Sequence, residues 1–191
     1  MLRHVISVVL VMLTSSFLSC SSYPPLATVP FVDLDRFVGD WYVIAHIPAS
    51  VERSAHNAVE SYALADDGSI ETRYVFRDGG FDGEVVVLEP HGRVRDTASN
   101  AEWGMRFAWW WPFRLEYLVT YLDDAYETTI IGRSARDYVW VMSRSPAMSD
   151  ERYAAMVLEV ARQGYDASKL RRVPQRWPDP GHAAALERSP G

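Results

Sequence analysis

The chain has 191 residues, 48% hydrophobic and 13% aromatic, with 19 Lys and Arg against 25 Asp and Glu for a formal charge of −6. That length suits one domain with tails and buries a substantial core without disulfides or metal. The acidic balance argues against a nucleic-acid partner, and the lone cysteine excludes an internal disulfide, a CxxC redox pair and a Cys-based zinc site.

Residues 1–20 read MLRHVISVVLVMLTSSFLSC. Arg3 and His4 precede an apolar run from Val5 to Leu13. The run is too short to span a bilayer and suits a secretory signal. Phe17-Leu18-Ser19-Cys20 resembles the bacterial lipobox, with Phe17 where Leu usually stands. That resemblance implies a signal peptide over 1–19 and an acylated Cys20 that anchors the chain. An ordinary cleaved signal with an incidental Cys20 is the alternative. Ser21, rather than Asp, implies the outer membrane, lipid-anchored and facing the periplasm. Residues 20–30 are rich in Pro and Ser and predict a tether.

Between residues 39 and 144 no helical period survives, and short apolar runs alternate between turn signals. The runs are Trp41–Ile47, Ala58–Leu64, Ile70–Phe76, Glu84–Leu88 with Gly92–Thr97, Trp103–Phe107, Tyr117–Leu122, Thr128–Gly132 and Tyr138–Ser143. Asp66-Asp67-Gly68 marks a tight hairpin. The fourth run reads as one strand bent at Pro90. Eight strands with hairpin-length links predict an all-β, eight-stranded, up-and-down antiparallel β-barrel, which leaves no free edge. A β-sandwich is the alternative, disfavoured because the links are short for Greek-key crossings.

Pro146 ends the sheet. Ser149 predicts an N-cap, Asp150 and Glu151 suit a helix first turn, and Gly164 suits the residue after its end. Tyr153, Met156, Val157 and Val160 give that helix one apolar face, expected to pack outside the barrel. Leu170–Val173 reads as a short added strand. From Pro174 onward Pro, Gly and Ala dominate, and 176–191 reads as a disordered tail.

Asp35-Arg36-Phe37-Val38-Gly39-Asp40-Trp41-Tyr42 resembles the lipocalin start, a helical turn followed by Gly-x-Trp. Asp123-Asp124-Ala125-Tyr126 stands where lipocalins carry their second motif, departing from the usual Thr-Asp-Tyr. Asp137 to Pro146, with Arg144, resembles the third. Ser143-Arg144-Ser145-Pro146, Ser149-Asp150-Glu151 and Gly164-Tyr165-Asp166 are similar to the bacterial outer-membrane lipocalins in particular. The resemblance spans about 31–175 and implies a calyx that binds a hydrophobic ligand. Gly39, Trp41 and Arg144 are then structural: Gly39 turns the chain, Trp41 plugs the closed end, and Arg144 lies over the indole.

Placing Trp41 inside sets strand parity. Val43, Ala45 and Ile47 then face in on the first strand. Ala58, Glu60, Tyr62 and Leu64 follow on the second, and Ile70, Thr72, Tyr74 and Phe76 on the third. Val94 is the candidate on the fourth and Trp103, Met105 and Phe107 on the fifth. Leu118 and Thr120, then Thr129 and Ile131, then Tyr138, Trp140 and Met142 complete the ring. Such a lining is apolar and aromatic, as a fatty-acid or lysophospholipid site needs. The alternative is a solid, filled barrel core.

Glu60 is the odd member, because a carboxylate in an apolar cavity is costly unless paired or near water. With Glu116 and Glu127, which share its parity, it is a candidate for meeting a cationic head group. A register error that turns Glu60 outward is the competing reading. Trp109-Trp110-Trp111-Pro112-Phe113 links the fifth and sixth strands at the expected mouth and suits a lid, a ligand entrance or a membrane contact. Packing on neighbouring loops is the plainer account. Arg73, Arg106 and Arg114 are candidates for an anionic head group.

No phosphate loop, HExxH or GxSxG occurs, and His46, His56, His91 and His182 show no ligand spacing. The sequence implies no cofactor, no metal and no catalytic set. Three functions compete: a lipid-binding protein, a calyx enzyme on a lipid or epoxide with Glu60 or Tyr74 as acid or base, and a structural envelope protein with a filled barrel. A homodimer is left open.

Overall fold

The computed structural model describes residues 23–107 and 113–187. The Asp33 side chain caps the single-turn helix α1 (Leu34–Phe37) by accepting from the N–H of Asp35 and of Arg36. Gly39 then turns the chain at φ +93°, a conformation that strains any side chain. Nine strands follow: β1 (Gly39–Ile47), β2 (Ala55–Leu64), β3 (Ile70–Asp78), β4 (Val85–Leu88), β5 (His91–Val94), β6 (Glu102–Arg106), β7 (Leu115–Leu122), β8 (Thr128–Gly132) and β9 (Val139–Ser143). Neighbours pair antiparallel in chain order. β4 and β5 both pair with β3, so together they act as one strand interrupted at Glu89-Pro90. β9 returns to β1, with Val43 opposite Met142 and His46 opposite Trp140. The result is a closed eight-stranded, up-and-down antiparallel barrel. The closing pair excludes the sandwich.

The apolar side chains divide into two clusters. The inner one joins Trp41, Val43, Ala58, Tyr62, Tyr74 and Trp103 with the inward residues of the other strands. The outer one lies between the wall and helix α2 (Asp150–Arg162), where Met156 and Val160 meet Leu118, Ile130, Val139 and Val141. The Ser149 hydroxyl accepts from Arg152 N at 3.2 Å, and Gly164 ends the helix at φ +87°.

Two expected inward positions on β1 face out. The β1–β9 register shifts between Val43 and Ala45. This bulge inserts one residue and reverses the parity beyond it. Ala45 and Ile47 therefore join the outer cluster, and buried His46 pairs across from inward Trp140. β7 is also reversed: Tyr117 and Val119 are inner, Leu118 is outer, and half-buried Thr120 donates its hydroxyl to Ile130 O at 3.1 Å. Both faces of LEYLVTYL are apolar because helix-covered wall needs apolar outer residues as well. Alternation does not separate the faces there.

The expected disordered tail is replaced, as far as Glu187, by an ordered strap. β10 (Arg171–Arg172) adds to β1, with Ala45 opposite Arg172. Asn57, at φ +48°, donates its N–H to Pro174 O at 2.9 Å. Gln175 Nε2 donates to Val43 O at 2.9 Å, so the strap bridges β1 and β2. Arg77 grips Asp179 with both ends of its fork at 2.6 Å, and Asn57 Nδ2 donates to the same carboxylate at 2.9 Å. Helix α3 (Pro180–Glu187) follows, with His182 and Ala185 buried and Arg73 Nε donating to Ala185 O at 2.7 Å. The expected tether is also shorter. Leu26 is buried against the outer cluster, and Val29 N donates to Val119 O at 2.9 Å.

Candidate functional site

The barrel encloses a cavity of about 370 Å3 above its packed base. Ligand sites span roughly 300–1,000 Å3, so this volume admits a slender molecule. Tyr74, Tyr138 and Trp140 form an aromatic wall, with Tyr74 and Trp140 centroids 4.9 Å apart. Leu88, Met105 and Leu115 form the aliphatic side. Ala49, Val51, Phe107, Glu116 and Arg133 stand at the rim.

Of the residues expected inside, Glu60, Tyr74, Met105, Phe107, Tyr138 and Trp140 line the open space. Phe107 does so from beyond the end of β6, half exposed. Val43, Ala58, Tyr62, Trp103 and Val94 belong to the packed inner cluster, with Thr72 buried on the same face of β3. Trp103 stacks on Tyr117 at 5.1 Å and 6° and meets Tyr62 edge-on at 5.5 Å. These rings fill the lower barrel and leave the upper half open. Ala45, Leu118 and Thr120 do not reach it. Trp109, Trp110, Trp111 and Cys20 lie outside the described residues.

Glu60 points inward and is 1% exposed. Tyr62 donates to its carboxyl at 2.6 Å, and the Tyr62 and Tyr117 hydroxyls are hydrogen-bonded to each other. Burial pushes the Glu60 carboxyl well above the usual range, with nearby Glu52 adding to the effect against the Tyr62 bond. Burial therefore favours the protonated form of Glu60. Glu127 is exposed at the opposite end of the barrel, and Glu116 accepts from Ser134 N and Oγ at the rim. The three expected carboxylates thus do not form one anionic site.

Sequence reasoning missed Glu52. It lies on a 3-10 turn (Ser50–Glu52) folded over the mouth and is 2% exposed. Its carboxylate accepts from Ala49 N at 3.0 Å and from the Tyr74 hydroxyl at 2.9 Å, with His46 Nδ1 3.7 Å away. No period marks a turn of this kind, so no sequence signal was available. Tyr117 was legible as an aromatic on a strand, but only on the parity not chosen. Among the described residues no cluster of His, Cys, Asp and Glu is arranged to hold a metal ion.

A model of the lipocalin-like domain matches residues 32–175. The chain is 31% identical over 162 residues to the outer membrane lipoprotein Blc of Escherichia coli, covering 82% of this chain and 90% of the relative. It is 29% identical over 174 residues to temperature-induced lipocalin-1 of Arabidopsis thaliana, covering 87% and 91%. Among solved structures, insecticyanin from the tobacco hornworm Manduca sexta matches with a TM-score of 0.61 at 18% identity, covering 84% of this chain and 88% of that one. The Gly39–Trp41–Arg144 closed end, the closed barrel with its outer helix and the relatives agree: this chain belongs to the lipocalin family, as a Blc-like member.

Proposed function

We propose that the protein holds a single-chain lipid, a fatty acid or a lysophospholipid, in its calyx and serves lipid storage, transport or envelope maintenance at the outer membrane. The observation that carries this is the open, almost wholly apolar cavity of about 370 Å3, which argues against a filled structural barrel. Each acyl methylene buried against Leu88, Met105, Leu115 and Trp140 contributes roughly 0.8 kcal/mol. The polar head stays at the rim beside Arg133, whose buried Nε has no hydrogen-bond partner. Cys20, acylated, ties the barrel to the membrane, a reading supported by the lipobox and by the likeness to an outer membrane lipoprotein.

The test is organic extraction of the purified protein with mass spectrometry of the released lipid, followed by titration with a fluorescent fatty acid. Leu115→Trp, at the half-buried edge of the cavity, should lower that affinity at least about tenfold, a loss of about 1.4 kcal/mol, with little change in Tm. Unchanged affinity removes the calyx as the site.

A second reading rests on Glu60. A neutral carboxyl in an apolar pocket is what a general acid needs. An enzyme acting on a lipid-like epoxide would use Glu60 or Tyr74. Both are already engaged, Glu60 by Tyr62 and Tyr74 with Glu52. Turnover of an epoxy fatty acid that disappears in Glu60→Gln supports this reading, and absence of turnover discards it.

A further inference from the structure

The outer wall opposite the calyx interior carries a concentration of positive charge in an acidic protein. On β5, a Cβ at Gly92 would meet Met105 Sδ at 2.8 Å, so position 92 points inward. His91 and Arg93 therefore point out, as does Arg106 on β6 beside inward Met105. Arg95 lies flat across Gly104, where a Cβ would come within 2.7 Å of its Nε. Arg95 donates to Arg114 O at 3.2 Å, and Arg114 donates to Gly104 O at 3.3 Å. Three guanidinium groups, of Arg93, Arg106 and Arg114, thus line a cleft of about 390 Å3 together with Asp67, Ser69 and His91, and Arg95 stands beside it against Arg114.

The carboxylates nearby do not neutralise it. Asp67 pairs with Arg93 at 2.7 Å and Glu102 reaches Arg95 at 3.8 Å. Glu71 stands opposite His91 in register, and both Glu116 oxygens are taken by Ser134. Among the described residues no carboxylate is in ion-pair distance of Arg106 or Arg114. Both are half-buried, and Arg106 Nε is buried without a hydrogen-bond partner. Burial, and then the charges of Arg106, Arg93 and Arg95, press the Arg114 guanidinium below its ordinary range. Converging like charges in a partly dry cleft are unfavourable until an anion joins them.

We propose that this cleft binds a phosphate group, with Arg106 and Arg114 as its principal donors. Planar guanidinium forks match two phosphate oxygens at once. The anion is a free phosphate or the phosphate of a lipid head group. Arg106 and Arg114 flank the aromatic segment 109–113 in sequence, the arrangement expected where a loop meets a lipid surface.

The test compares the Cys20→Ala chain with the same chain carrying Arg106→Gln and Arg114→Gln. Inorganic phosphate is titrated by phosphorus NMR, and phosphatidylglycerol and phosphatidylcholine vesicles by co-sedimentation. Arg162→Gln with Arg171→Gln, at exposed positions of α2 and β10, is the charge-matched control. Fluorescent fatty-acid binding verifies the fold of each variant. The proposal requires binding of phosphate or of phosphatidylglycerol vesicles that weakens at least about tenfold in the double variant and not in the control. Phosphate binding alone identifies a free anion, and vesicle binding identifies a head group. Absence of binding to both, or equal binding by the double variant, overturns it.

Discussion

The Arg144 guanidinium carbon lies 3.8 Å from the centroid of the Trp41 ring. The same group donates to four carbonyls of the entry segment: Arg36 and Asp40 at 2.8 Å, Phe37 at 2.9 Å and Val38 at 3.0 Å. Trp41 Nε1 donates to Phe37 O at 2.8 Å. One cation therefore closes the end of α1, the first strand and the last strand over a single indole. The expected cation–π contact is present, and the carbonyl clamp was not foreseen.

Arg144→Leu removes both the cation–π contact and the carbonyl donors. Stability should fall by about 2–4 kcal/mol, read from urea unfolding at unchanged m. Arg144→Lys should recover little, because an ammonium cannot fork to several carbonyls. A midpoint like the wild type's in both variants contradicts the clamp.

Asp179 fastens the strap. The hydrogen bonds from Arg77, ahead of that from Asn57, hold its carboxyl well below the usual carboxylate range. A depressed folded pKa stabilises above the unfolded value of about 3.9 and is lost as pH falls through the folded value. Asp179→Asn should therefore cost most near neutral pH and little in strong acid. Amide exchange over residues 180–187 should accelerate in the variant at pH 7. Equal protection in both proteins would mean that other contacts hold the strap.

Glu60 has the opposite sign. Its folded pKa is raised by burial, so its presence costs nothing below the unfolded value of about 4.3, and the cost grows as pH rises toward the folded value. Glu60→Gln should match wild-type stability near pH 4 and exceed it increasingly as pH rises above the unfolded value. Lysophosphatidylcholine affinity should change less than about threefold, since a neutral carboxyl supplies no anion for choline. A large loss of that affinity would restore the cationic head-group role.

The anchor is tested separately. Palmitate labelling should mark the wild type and not Cys20→Ser, and only the wild type should fractionate with the outer membrane. In the non-acylated form, Trp110→Ser with Trp111→Ser should reduce vesicle binding, and unchanged binding removes segment 109–113 from the membrane contact. Labelling of the Cys20→Ser chain would move the anchor elsewhere.

Short-range signals carried much of this reading. Asp66-Asp67-Gly68, the Ser149 cap, Gly164 and the Gly39–Trp41 pair act through turn geometry, caps and a left-handed φ, all local to a few residues. The sequence alone therefore determined eight strands in meander order and an outer helix, and left Glu60 between the two faces until the structure turned it inward. The tertiary structure decided what depends on partners distant in the chain. A one-residue bulge near Ile44 exchanged Ala45 for His46, and helix cover made β7 apolar on both faces. Arg77 turned a Pro- and Gly-rich tail into a strap through Asp179, 102 positions away. Glu52 entered the cavity from a turn whose conformation is held by Tyr74, 22 positions on. Local chemistry specifies elements, whereas parity past a bulge, the filling of a cavity and the docking of a tail are set only when remote side chains meet.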